Sequence, residues 1–136
     1  MPHLVILYTP NLDAKTDMTA LCRVLADTML EQRDEAGKPV FPAGGTRVLA
    51  YPAAHCAVAD GKRDYAFVYL ELRMAAGRSD KVKQRAGEAL LAATQAHFAP
   101  VLAANHVGVT LQLSEVVPAF DGRFGNLHPL FSASTT

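Results

Sequence analysis

The order of segments along this chain constrains it most, because the same order occurs twice: an apolar run rich in β-branched residues, a stretch with helical period, then a second apolar run. In the first copy, residues 3–9 (HLVILYT) have the composition of a buried strand. Pro10, Asn11 and Asp13 break it. Thr16 or Asp17 can cap a helix by accepting a hydrogen bond from a free backbone N–H. Met18, Leu21, Cys22, Leu25, Thr28 and Met29 then recur on one helical face. The helix fades into the charged stretch 31–38, and Gly37 and Pro39 end it. Pro42, Gly44 and Gly45 form a turn, and residues 46–51 (TRVLAY) read as the second strand.

The second copy opens with the strongest strand signal of the chain, residues 64–74 (DYAFVYLELRM). Gly77 turns it. Ser79 suits a helix cap, and Asp80 suits the positive end of the helix dipole. Val82, Ala86, Ala89, Ala93 and Ala96 make a seam of small residues that lets a helix lie close on a sheet. Pro100 and Asn105 mark its end. Residues 107–116 (VGVTLQLSEV) close the copy as a strand, with Val107, Val109, Leu111 and Leu113 on one face.

The expected fold is therefore α+β: two β-α-β units, each with parallel strands joined by a right-handed crossover, forming one four-stranded sheet with both helices on one face. The 136 residues fit a single domain, with pseudo-repeats at about 2–58 and 64–118 and then a C-terminal tail. The other sheet face stays uncovered, and its apolar alternation argues for self-association. The tail either wraps a neighbour or packs on its own domain.

Thirteen Lys and Arg balance thirteen Asp and Glu. That leaves no general attraction to nucleic acid or to an acidic membrane, so anion binding must come from a few placed arginines. Cys22 and Cys56 have no metal-type spacing and suggest no disulfide framework. Neither Cys has an evident His partner for nucleophilic catalysis. The five histidines, His3, His55, His97, His106 and His128, share no ligand spacing, so no zinc site is expected. No signal peptide or spanning segment is visible, and a cytoplasmic location is the default.

Pro2, Arg47, Arg78 and His128 are the candidate functional residues. Removal of Met1 would leave Pro2 with a secondary amine at the edge of the core. Desolvation and nearby arginines would lower its pKa toward neutrality, where a general base works best. Many chains begin Met-Pro without consequence. Arg78 lies between a strand and a helix N-terminus, where N–H groups and the dipole favour anions, and its guanidinium offers a fork for carboxylate. Arg47 starts a strand after a Gly-rich turn. His128 either lines a pocket or simply packs.

Met1-Pro2-His3, Phe41-Pro42 with Arg47 six residues after Phe41, Ala59-Asp60-Gly61, Asp64 to Val68, Ala76-Gly77-Arg78-Ser79, His97-Phe98-Ala99 and Asn126-Leu127-His128 occur in this order. The ordered set resembles the 5-carboxymethyl-2-hydroxymuconate Δ-isomerase family of the tautomerase superfamily, over nearly the whole chain. The resemblance implies a tautomerase-like trimer acting on a small anionic enol without a cofactor. It implies an amino-terminal proline base, here Pro2, and two arginines, here Arg47 and Arg78, that hold substrate carboxylates and draw electron density. It places such a chain in homoprotocatechuate degradation. The chain departs from the family around 31–38, at 49–58 (LAYPAAHCAV) and at its last five residues. Those departures leave two alternatives: another keto–enol tautomerase or dehalogenase-like relative, or a catalytically inert trimeric small-acid binder.

Overall fold

The computed structural model describes residues 2–132. Strand β1 (His3–Tyr8), helix α1 (Met18–Leu30) and strand β2 (Arg47–Pro52) form the first β-α-β unit. Strand β3 (Tyr65–Ala75), helix α2 (Asp80–Ala104) and strand β4 (His106–Val116) form the second, and a short helix α3 (Pro129–Ser132) follows. The sheet order is β2-β1-β3-β4. Strands within a unit are parallel, and the units join through the antiparallel β1–β3 pair.

Alternation along the strands separates two faces. Leu4, Ile6, Val68, Leu70 and Leu72 point to the helices and are fully buried. Leu21, Leu25 and Met29 of α1 and Leu90 and Phe98 of α2 meet them in one core. Burying an aliphatic side chain of this size contributes about 1.5–3 kcal/mol, so this double layer holds the two units together. Val107, Val109, Leu111 and Leu113 extend the same face at the β4 edge.

Asp17 and not Thr16 caps α1, its side chain accepting from the Ala20 N–H at 3.0 Å. Ser79 caps α2, accepting from the Val82 N–H at 3.2 Å.

Helix α2 corrects the sequence reading twice. Pro100 does not end it, because the helix continues to Ala104 with Pro100 inside. Pro100 is exposed, so the backbone bond it cannot donate is lost on the solvent side, where water can satisfy the freed carbonyl. Asn105 does mark the end, its Nδ2 donating to the Val101 carbonyl at 3.0 Å. The buried stripe is Val82, Ala86, Leu90, Thr94, Phe98 and Val101; of the expected seam it keeps Val82 and Ala86, Ala93 packs at its edge, and Ala96 is exposed. Large side chains at four-residue steps outweigh small ones because they remove more apolar area from water.

The opposite sheet face carries no helix. Leu7, Leu49, Tyr51 and Phe67 lie there between 38% and 50% exposed. Among the described residues no helix is long and apolar enough to cross a membrane.

Candidate active site

The strand directions gather one end of the sheet into a site. β1 and β2 begin there, while β3, antiparallel to β1, and β4 end there. His3 is opposite both Arg47 and Arg73 in the register. The two-residue period of a strand puts all three on the open face. The segment after β4 passes over this row. A cleft of about 590 Å³ results, lined among others by His3, Arg47, Arg73, Asp121, Arg123 and Phe124. Pro2 is buried directly before His3.

The cleft favours anions. It presents three guanidiniums, from Arg47, Arg73 and Arg123, against the single carboxylate of Asp121. Arg123 binds Asp121 twice, through Nη2 at 2.6 Å and Nε at 3.0 Å, and that pairing holds the Asp121 carboxyl below its usual range. Arg47 donates from Nη1 to the Gly45 carbonyl at 3.1 Å, which ties its guanidinium to the turn at Ala43–Gly45. The Arg73 side chain makes neither a hydrogen bond nor an ion pair among the described residues. Desolvation and the charges of Arg47 and Arg73 push the His3 pKa down. The imidazole therefore stays neutral at neutral pH, able to donate one hydrogen bond and accept another.

The sequence-derived residues fall in different places. Arg47 lines the cleft, and Pro2 adjoins it through His3. Arg78 lies beyond the end of β3, after Gly77, whose φ of +116° is a conformation open to glycine. Its Nη1 reaches Asp34 Oδ2 at 3.4 Å, and its Nη2 donates to the Val40 carbonyl at 3.0 Å. Asp34 is held ionised, first by the backbone N–H of Lys38, with Ala36 and Arg78 assisting. Arg78 thus leaves the sheet at the same end as Pro2 but does not line the cleft. His128 packs on the turn that precedes Arg47: a Cβ added at Gly44 would lie 2.8 Å from its Nδ1. It lies outside the cleft lining as well.

Arg73 was not singled out from the sequence, where it reads as a solvent-side residue of a strong strand. Its one signal is a charge at an outward position two residues from the strand's end. Among the described residues no group of three or more His, Cys, Asp or Glu is placed to hold a metal ion.

Residues 2–131 match the family described as 5-carboxymethyl-2-hydroxymuconate isomerase. The chain is 29% identical to the Escherichia coli protein named 5-carboxymethyl-2-hydroxymuconate Delta-isomerase, over 96% of this chain and 99% of that one. A crystal structure of a 5-carboxymethyl-2-hydroxymuconate delta-isomerase superposes with a TM-score of 0.93 at 53% identity, covering 97% of this chain and 93% of the other. A 5-carboxymethyl-2-hydroxymuconate isomerase from Deinococcus radiodurans R1 follows at 0.83 and 34%, covering 96% and 93%.

Proposed function

The chain belongs to the 5-carboxymethyl-2-hydroxymuconate isomerase family, and from that premise we propose that it shifts a double bond in 5-carboxymethyl-2-hydroxymuconate, using Pro2 as the base once Met1 is removed. The observation that carries this reading is the Arg47 guanidinium beside neutral His3 on the cleft, with a buried Pro2 directly before His3.

A buried secondary amine near the Arg47 guanidinium has its charged form disfavoured twice, by desolvation and by like charge. It is then neutral enough at neutral pH to accept a proton. In the proposed cycle the Pro2 nitrogen takes the proton of the 2-hydroxyl. The oxygen electron pair forms the carbonyl, the C2–C3 double bond moves to C3–C4, and charge accumulates at C5. The protonated proline returns its proton to C5, so the product is an isomer and the base is regenerated. Arg47 holds a carboxylate conjugated with the developing charge and stabilises it where it forms. The family resemblance assigns another carboxylate to Arg78, which stands outside the cleft lining at the same end of the sheet. Arg78 uses two of its five N–H donors on Asp34 and Val40, which leaves three. His128, outside the cleft lining, acts through its seat against Gly44 on the turn that precedes Arg47. No metal or cofactor takes part in these steps.

The apolar open face supports self-association, and the family resemblance implies that the assembly is a trimer. A cytoplasmic site of action and a place in homoprotocatechuate breakdown complete the reading.

The test is an intact-mass measurement followed by an ultraviolet assay of 5-carboxymethyl-2-hydroxymuconate. Loss of the Met1 mass and decay of enol absorbance in proportion to protein are expected. Pro2→Ala should lose most turnover, and Arg78→Ala should lower turnover and affinity together. Unchanged kinetics in both variants sink the assignment. A Met1-free protein inert toward the substrate favours a different enol acid or a binding role.

A further inference from the structure

We propose that Arg73 holds a third carboxylate of the substrate, the one outside the conjugated system, and so makes the site select a tricarboxylate over its dicarboxylate analogue. This role rests on the isomerase reading above.

Arg73 and Arg47 flank His3 on the two sides of β1. Two strand spacings separate their backbones by roughly 10 Å. Guanidiniums anchored so far apart suit two different carboxylates better than one shared group. Their charges also differ in how they are balanced. Arg123 is neutralised by Asp121, and Arg78 by Asp34. Arg73 lines the same cleft with no carboxylate on it among the described residues. Both Arg73 and Arg47 disfavour the protonated form of His3, so their charges reach the same spot. Positive charges gathered in this way are favoured by an anion between them.

The family's substrate carries two muconate carboxyls and one more on a carboxymethyl arm. Arg47 and Arg78 are assigned to the first two. The arm's carboxylate is insulated from the diene by a methylene, so a residue gripping it contributes to binding without stabilising the moving charge. Arg73 should therefore appear in KM and leave kcat nearly unchanged.

The experiment compares Arg73→Gln and Arg73→Lys with the wild type on 5-carboxymethyl-2-hydroxymuconate and on 2-hydroxymuconate, which lacks the arm. Arg73→Gln should raise KM for the tricarboxylate about 10- to 100-fold, the range for a lost hydrogen bond to a charged group. Its kcat should hold, as should its kinetics on the dicarboxylate, and Arg73→Lys should recover part of the KM. Equal losses on both acids, or no change on either, overturn the role. So does a variant that sediments as a smaller species, because Arg73 then pairs across a subunit contact. A wild type inert on both acids refutes the isomerase reading itself and takes this role with it. A working wild type with an unaffected Arg73→Gln refutes only the role of Arg73.

Discussion

Leu49→Asp separates the stability of one chain from the stability of an assembly. Leu49 lies on the open face of β2, opposite Val5, and is 46% exposed. In a lone chain the substitution gives up a half-buried contact of about 1 kcal/mol. The poor strand propensity of Asp adds up to about 1 kcal/mol. The core beneath, built from Leu4, Ile6, Leu70 and Leu25, is untouched, so the fold survives. In an assembly that covers this face, the same carboxylate is buried without a partner, which costs several kcal/mol per ion and recurs in every subunit. A penalty of about 4 kcal/mol is about a thousandfold in a dissociation constant. Assembly should therefore be lost at concentrations where folding is retained. Sedimentation velocity reads the first, and circular dichroism with a thermal scan reads the second. A Leu49→Asp protein that sediments with the wild-type assembly refutes the reasoning. So does a wild type that sediments as a single 14.6 kDa chain.

Gly44→Ala should loosen the tail. A Cβ there would lie 2.8 Å from His128 Nδ1 and 3.1 Å from the His128 Cα, so rotating the imidazole cannot relieve the clash. Overpacking of this kind costs about 1–3 kcal/mol, and faster proteolysis near residue 128, relative to wild type, is the expected result. Stability should also fall between pH 7 and pH 5. Burial is the first cause that lowers the pKa of both His3 and His97 from the usual 6.5. The unfolded chain then binds more protons in this window, so stability present above about pH 6.5 is lost as pH falls. A flat thermal midpoint over this range contradicts that. Pro100→Ala should raise the thermal midpoint, since proline in a helix interior costs about 3 kcal/mol relative to alanine. An unchanged or lower midpoint shows that the helix has already absorbed that cost.

The amino-acid sequence by itself determined the two β-α-β units, the Ser79 cap and the shared face of Val107, Val109, Leu111 and Leu113, and narrowed the first cap to Thr16 or Asp17. These are local properties. A two-residue or 3.6-residue period, an Asp17 or a Ser79 is read within one segment. It also placed Pro2 and Arg47 at strand beginnings and Arg78 beyond a strand's end. The buried stripe of α2 was misjudged because Ala89, Ala93 and Ala96 and Leu90, Thr94 and Phe98 both have helical spacing. Only the sheet beneath decides which set is covered. Arg73 illustrates the same limit at the site. Its outward direction follows from alternation along β3. Its place beside His3, across β1 from Arg47, follows from the antiparallel register between residues 70 positions apart. That register is set by packing both units against one core, a non-local choice that only the tertiary structure makes.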